Sequence, residues 1–203
     1  MNIANFLLRS GRMYRDSCAL ALGRTGIASY GQLSARAAKL AGALQSNPNL
    51  EVGDRVAIFA KNKPEYLEII YGCWHAGLIV VPINSKLHVN ELSFILEDSG
   101  AKLCFVSDDL SATSRSIQST QLKKIIEIGS SDYIGLFEGK ESQIVSCDGD
   151  VIAWIFYTSG TTGQPKGASL SHRNLLAMCH CYFTDVDCEG VSETMLHIAP
   201  MRH

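Results

Sequence analysis

Between Tyr157 and Gly167 the chain reads Tyr-Thr-Ser-Gly-Thr-Thr-Gly-Gln-Pro-Lys-Gly, with three glycines, four serine or threonine hydroxyls and one lysine within eleven residues. That composition suits an anion with several oxygens, above all a phosphate. Glycines let the backbone approach closely and turn its N–H groups into one concavity. Hydroxyls add donors, and a lysine supplies a mobile positive charge. The apolar run Val151-Ile152-Ala153-Trp154-Ile155-Phe156-Tyr157 leads into the loop and has the pattern of a buried strand. In open parallel sheets, ligands collect at the carboxyl ends of strands, where this loop starts.

Three better-known loop motifs do not fit. A Walker A loop needs G-x-x-x-x-G-K-[ST] before a helix, whereas Lys166 stands between Pro165 and Gly167 and Ala168-Ser169-Leu170 reads as another strand. The glycine spacing is G-x-x-G-x-x-x-G, not the G-x-G-x-x-G of a dinucleotide fold. A nucleophile elbow needs glycine two residues before its serine, and Tyr157 occupies that place relative to Ser159. The competing structural reading is a surface hairpin whose glycines only turn the chain. Lys166 and the strand-end position weigh against it.

A second group with chemical capacity is Cys179-His180-Cys181, with His172, Cys188 and His197 nearby. Zinc sites use C-x₂₋₄-C spacing, and two residues two apart point to different sides of one helix. We therefore expect no metal there, and a chelator should leave thermal stability unchanged. The seven cysteines are odd in number and form no C-x-x-C pair, and Cys104 lies inside the apolar run Leu103-Cys104-Phe105-Val106. They read as small core residues of a reduced, cytoplasmic protein. His75 and His172 read as structural, His172 ordering the loop-to-helix junction. Trp74 and Trp154 read as core, and Lys123-Lys124 as a solvated strand edge.

The elements that must hold the loop alternate. Strands are expected at Arg55–Ala60, Leu78–Val81, Leu103–Val106, Lys124–Ile128, Val151–Tyr157, Ala168–Leu170 and Met195–Ala199. Between them lie amphipathic helices. One carries Leu33, Ala37, Leu40, Ala41 and Leu44; a second starts at Pro64 with Leu67, Ile70, Tyr71 and Trp74 on one face and ends at Gly77. A third, capped by Asn90, carries Leu92, Ile95 and Leu96 and stops at Ser99-Gly100; a fourth starts near Ser171 with Leu175, Cys179, Tyr182 and Phe183 on one side. Residues 129–150 are mixed and match no element. The fold class is α/β, a doubly wound and mainly parallel sheet flanked by helices.

Bulk properties narrow the function. At 203 residues the chain has the length of one large domain or two small ones. With 46% hydrophobic and 19% charged residues it is too apolar for disorder and poor in charge for a free-standing domain. Eighteen basic against 20 acidic residues, a net charge of −2, argue against nucleic acid or an anionic membrane as partner. The N-terminal apolar stretch is too short for a signal peptide, and no apolar run approaches the ~20 residues of a membrane helix.

Tyr157–Gly167 resembles the phosphate-loop signature of the AMP-forming adenylating enzymes, which include acyl-CoA synthetases, luciferases and peptide-synthetase adenylation domains. Ser171-His172-Arg173-Asn174-Leu175 is similar to the segment that follows it there. Upstream, Gly53–Ile58, Asn62–Glu68, Ala76–Asn84 and Glu91–Ala101 match further blocks in order. The likeness runs from about residue 27 to the end, and the fatty-acid and small-carboxylate CoA ligase branch looks nearest.

The resemblance implies two half-reactions. A carboxylate attacks the α-phosphorus of ATP to give an acyl-adenylate and pyrophosphate, and CoA thiol then takes the acyl group. By resemblance Thr158, Ser159, Gly160, Thr161, Thr162 and Gly163 would wrap the β- and γ-phosphates, Lys166 would help neutralise them, and Mg²⁺ would bridge them. His203 would match the family's acyl-gate histidine, although Arg202 stands where relatives carry an apolar or aromatic residue. The family's adenine, ribose and hinge segments, and the C-terminal lysine domain, do not occur. Residues 1–203 then correspond to the N-terminal portion of the AMP-binding domain, without the C-terminal lid, of an enzyme two to three times longer. We expect this piece alone to lack ligase activity. The alternative is a truncated, non-catalytic phosphate- or nucleotide-binding or regulatory module.

Overall fold

The strand Arg55–Phe59 buries Val56, Ala57, Ile58 and Phe59 completely. Strand side chains alternate between faces, so four buried in succession require a covering layer on each side. The computed structural model describes residues 1–158, 164–186, 194–196, 199 and 201. In chain order the elements are α1 (Asn5–Met13), β1 (Cys18–Leu22), β2 (Thr25–Ser29), α2 (Tyr30–Gln45), β3 (Arg55–Phe59), α3 (Pro64–His75), β4 (Ile79–Ile83) and α4 (Val89–Ser99). They continue as β5 (Ala101–Val106), α5 (Ser111–Ser114), β6 (Lys124–Glu127), α6 (Ser131–Gly135), β7 (Ile152–Thr158), β8 (Lys166–Ser171) and α7 (His172–Cys181).

The main sheet has the order β6-β5-β3-β4-β7-β8. Every neighbour pair is parallel except β7 with β8. One core holds Val56 and Ile58 of β3 with Leu40, Leu44, Ile69 and Trp74 from α2 and α3. The other holds Ala57 and Phe59 with Leu92, Ile95 and Leu96 from α4. Helices therefore cover both faces, and the doubly wound, mainly parallel architecture expected from the sequence is present. Each such buried aliphatic side chain contributes about 1.5–3 kcal/mol relative to leaving it in water.

The helix boundaries follow local chemistry. Pro64 opens α3 with Glu65 in its first turn and His75 in its last, and Gly77 beyond it has φ of 75°. Ser29 caps α2, its hydroxyl accepting the Gln32 N–H while the Gln32 side chain accepts the Ser29 N–H.

Three local expectations are corrected. His88, not Asn90, caps α4: its ring accepts the Asn90 N–H at 3.5 Å, and the Glu91 carboxylate accepts the His88 N–H at 3.1 Å. Asn90 is thus already inside the first turn. Residues 194–196 lie in no strand, with Met195 and Leu196 exposed, where they gain nothing from pairing with a buried sheet; His197 and Ile198 lie outside the described residues. The last helix ends at Cys181, so Tyr182 and Phe183 fall in a following π-turn with Phe183 exposed, and Leu175 is the apolar anchor of α7.

Residues 136–151 form a strap across the first helical layer. The Ser142 N–H donates to Ala38 O at 3.1 Å, the Val145 N–H to His75 O at 2.9 Å, and the His75 ring meets Ser142 O at 2.9 Å. The N-terminus enters the same layer: the buried Asn2 amide donates to Trp74 O and Val145 O.

Candidate functional site

The hairpin β7–β8 presents the glycine-rich loop. Its ladder pairs Phe156 with Ala168, Tyr157 with Gly167 and Thr158 with Lys166. Lys166 thus opens the strand, two residues ahead of the Ala168 start expected from the sequence, and it faces Thr158 across the last rung. Both side chains are exposed. Among the described residues Lys166 joins no ion pair. Ser159, Gly160, Thr161, Thr162 and Gly163 lie outside the described residues, as does His203.

Aromatic side chains fix the hairpin to the rest of the sheet. The Trp74 indole donates to Ala153 O at 2.8 Å and lies 5.9 Å from the Trp154 ring, so α3 grips the base of β7. Further along, the Tyr157 ring crosses its partner Gly167. A Cβ on that glycine would come within 3.0 Å of both Tyr157 Cζ and Ile155 Cγ2. Gly167 therefore makes room for a ring. The Tyr157 hydroxyl then donates to Asp98 Oδ2 at 2.5 Å, reaching the last turn of α4. Burial, reinforced by Asp98, holds this phenol well above its ordinary range, so it stays a donor. Sequence reasoning assigned nothing to Asp98, since no spacing rule links it to a residue 59 positions on.

The junction after the hairpin is structural. The Ser171 hydroxyl accepts the Asn174 N–H at 3.2 Å, and the Asn174 side chain accepts the Ser171 N–H at 3.0 Å. The buried His172 ring accepts the Ile3 N–H at 3.2 Å. Arg173 forms a two-pronged pair with Asp150 at 2.6 and 3.1 Å. The start of α7 is in this way tied to the entry of β7 and to the chain's first residues.

Other groups gather at the carboxyl ends of the parallel strands. Past β3, Lys61 pairs with Asp109 at 2.5 Å and Lys63 pairs with Asp108 beyond β5, linking the ends of these two neighbouring strands. Asn62 donates to Ala199 O at 2.8 Å and accepts the Met201 N–H at 2.9 Å, so the segment leading to His203 reaches this same edge. Among the described residues no three His, Cys, Asp or Glu side chains group as a metal site. No helix among them is long and apolar enough to cross a membrane.

Residues 7–203 match the family described as AMP-binding enzyme. The chain belongs to that family. The chain is 32% identical to a feruloyl-CoA synthase from Amycolatopsis, covering 99% of this chain and 39% of that protein. It is 32% identical to the long-chain-fatty-acid–CoA ligase FadD13 of Mycobacterium tuberculosis, covering 86% of this chain and 35% of the ligase. The chain thus spans well under half the length of these relatives. Among solved structures it is similar to the N-terminal domain of FACL13 from M. tuberculosis, with a TM-score of 0.76 and 29% identity over 84% of this chain and 44% of that one. The long-chain-fatty-acid-CoA ligase FadD1 from Archaeoglobus fulgidus shares the fold over 100% of this chain and 43% of its own, with a TM-score of 0.88 at 22% identity.

Proposed function

We propose that residues 1–203 form the N-terminal portion of the adenylation domain of an ATP-dependent acid–thiol ligase, and supply its pyrophosphate-binding loop. The observation that carries this reading is the Thr158–Lys166 rung, which sets a hydroxyl and an ammonium, in no ion pair among the described residues, on either side of the loop mouth. The enzyme joins a carboxylate to the α-phosphorus of ATP, releases pyrophosphate, and passes the acyl group to CoA. In the first step negative charge builds on the departing pyrophosphate. Fixed donors around it lower the barrier because they need no reorganisation as the charge develops. Thr158, Ser159, Gly160, Thr161, Thr162 and Gly163 would surround the β- and γ-phosphates, and Lys166 would offset their charge. Magnesium would be held by those phosphates.

The chain's coverage of 39% of the feruloyl-CoA synthase supports the further reading that adenine, ribose and lid contacts belong to segments outside these residues. On this reading the purified chain binds pyrophosphate and ATP but forms no acyl-CoA. Thermal melting tests it, since a ligand selective for the native state at 100 times its Kd stabilises the fold by about 2.7 kcal/mol. Pyrophosphate should raise the Tm and Lys166→Ala should reduce that rise. Equal binding by the two proteins would overturn the loop assignment, and acyl-CoA formation by the chain alone would overturn the division of the site.

A further inference from the structure

The hairpin that carries the loop lies beside β4 on its inner side. Among the described residues β7 and β4 share the ladder pair Val80–Trp154, and from Ile155 outward the ladder partners of β7 lie on β8. Side chains add to this ladder in fixing the outer half to the layer that α4 covers. Ile155 and Tyr157 pack on the second core, which α4 covers. Tyr157 alone of the two carries a polar tip, and that tip meets Asp98.

We infer that Tyr157 is a positioning residue for the phosphate loop, acting through Asp98, with Gly167 the space that lets its ring cross β8. The inference rests on the reading of the loop as a pyrophosphate site. Its geometry is specific. Tyr157–Gly167 is the rung directly inside Thr158–Lys166, so a shift of the ring is passed at once to the two groups at the loop mouth. The hydrogen bond ends on a helix between β4 and β5, which adds to the hairpin a tie that the short β4–β7 ladder does not supply. The bond also lies at the half-exposed rim rather than in the core, so the fold as a whole depends on it little.

The test is titration of the 203-residue chain with inorganic pyrophosphate, alongside its ligand-free melting curve. Tyr157→Phe and Asp98→Ala should each weaken pyrophosphate binding about ten-fold, the loss of one charge-assisted hydrogen bond. Asp98→Asn should restore affinity to within a few-fold of wild type, because its amide oxygen still accepts from the hydroxyl. The ligand-free Tm should stay within a few degrees throughout, which separates positioning from general stability. Wild-type affinity in both Tyr157→Phe and Asp98→Ala would overturn the inference while leaving the loop reading intact. A lower ligand-free Tm with unchanged affinity would overturn it too. Absence of binding by the wild-type chain would overturn the loop reading, and the positioning role with it.

Discussion

His172 Nδ1 accepts the Ile3 N–H at 3.2 Å, across 169 positions of sequence. An accepting Nδ1 belongs to the neutral ring, and protonation would set a donor against a donor. Burial accordingly lowers the His172 pKa from its ordinary 6.5, with the N-terminal charge acting in the same direction. Above 6.5 the ring is neutral in folded and unfolded chains alike. As pH falls below it, the unfolded chain takes up a proton that the folded one refuses, so stability drops. Melting curves from pH 8 to 5 should show this fall. His172→Asn, whose amide oxygen accepts the same N–H without titrating, should flatten part of it. His75 is also lowered by burial, partly offset by the Ser142 carbonyl, and accounts for a further share. An unchanged pH slope in His172→Asn would contradict the assignment.

Glu68 of α3 is a buried carboxylate with three donors. It accepts from the Arg36 guanidinium through both oxygens and from the Tyr133 hydroxyl at 2.6 Å, while Arg36 lies 3.9 Å over the Phe137 ring. Burial and then Glu68 push the Tyr133 phenol far above its ordinary range. Removing the carboxylate strands a buried hydroxyl, but Arg36 is half-exposed and can return to water. Glu68→Ala should therefore cost about 2–3 kcal/mol, and Tyr133→Phe about 1–2. Urea denaturation midpoints measure both; a loss below about 0.5 kcal/mol for Glu68→Ala would show the network to be idle.

What could be read from sequence divides along the range of the interactions. β3, β4, β5 and β7 are apolar runs, and α2 and α3 carry periodic apolar faces, so local pattern located them within a residue or two. The hairpin β1–β2 was legible in principle, since Gly23 with φ of 60° lies in its two-residue turn between Leu22 and Thr25, but its exposed strands lack a strong apolar alternation. His88 was overlooked as a cap because histidine seldom fills that place. Residues 136–151 were opaque for a different reason: the hydrogen bonds of Ser142 and Val145 end on the carbonyls of Ala38, 104 positions away, and His75, about 70 positions away. Of the site, the loop composition announced Thr158 and Lys166, whereas Asp98 became visible only once α4 was laid beside β7.

The contact between α2 and α3 rests on Gly72. A Cβ there would stand 2.6 Å from Leu40 Cδ2 and 2.8 Å from Leu40 Cγ, closer than non-bonded carbons approach. Leu40 is fully buried and cannot swing into solvent. Alanine would gain helix propensity of about 1 kcal/mol yet force two packed helices apart, and overpacking costs about 1–3 kcal/mol. Gly72→Ala should lower the urea midpoint, and pairing it with Leu40→Ala should recover part of the loss, because the smaller partner frees the space. A stabilised Gly72→Ala protein would mean that the helices separate without penalty.

Thiol reactivity follows burial in the same way. Cys73 and Cys104 are fully enclosed, and burial pushes Cys104 up to about 12 and Cys73 higher still. The thiolate is the nucleophile, so neither reacts from the folded state. Cys18 and Cys181 are exposed. Brief iodoacetamide treatment at pH 8 followed by peptide mass spectrometry should find Cys18 and Cys181 modified and Cys73 and Cys104 intact, with all four modified in urea. Cys73 lies in α3 against the first core and Cys104 in β5 against the second. Their slow labelling in native buffer therefore reports opening of the two layers separately. Equal rates would mean that the layers open together, as in one cooperative unit, and a faster Cys104 would mean that the α4 layer opens first. Rapid modification of both in native buffer would contradict the packing described for the sheet.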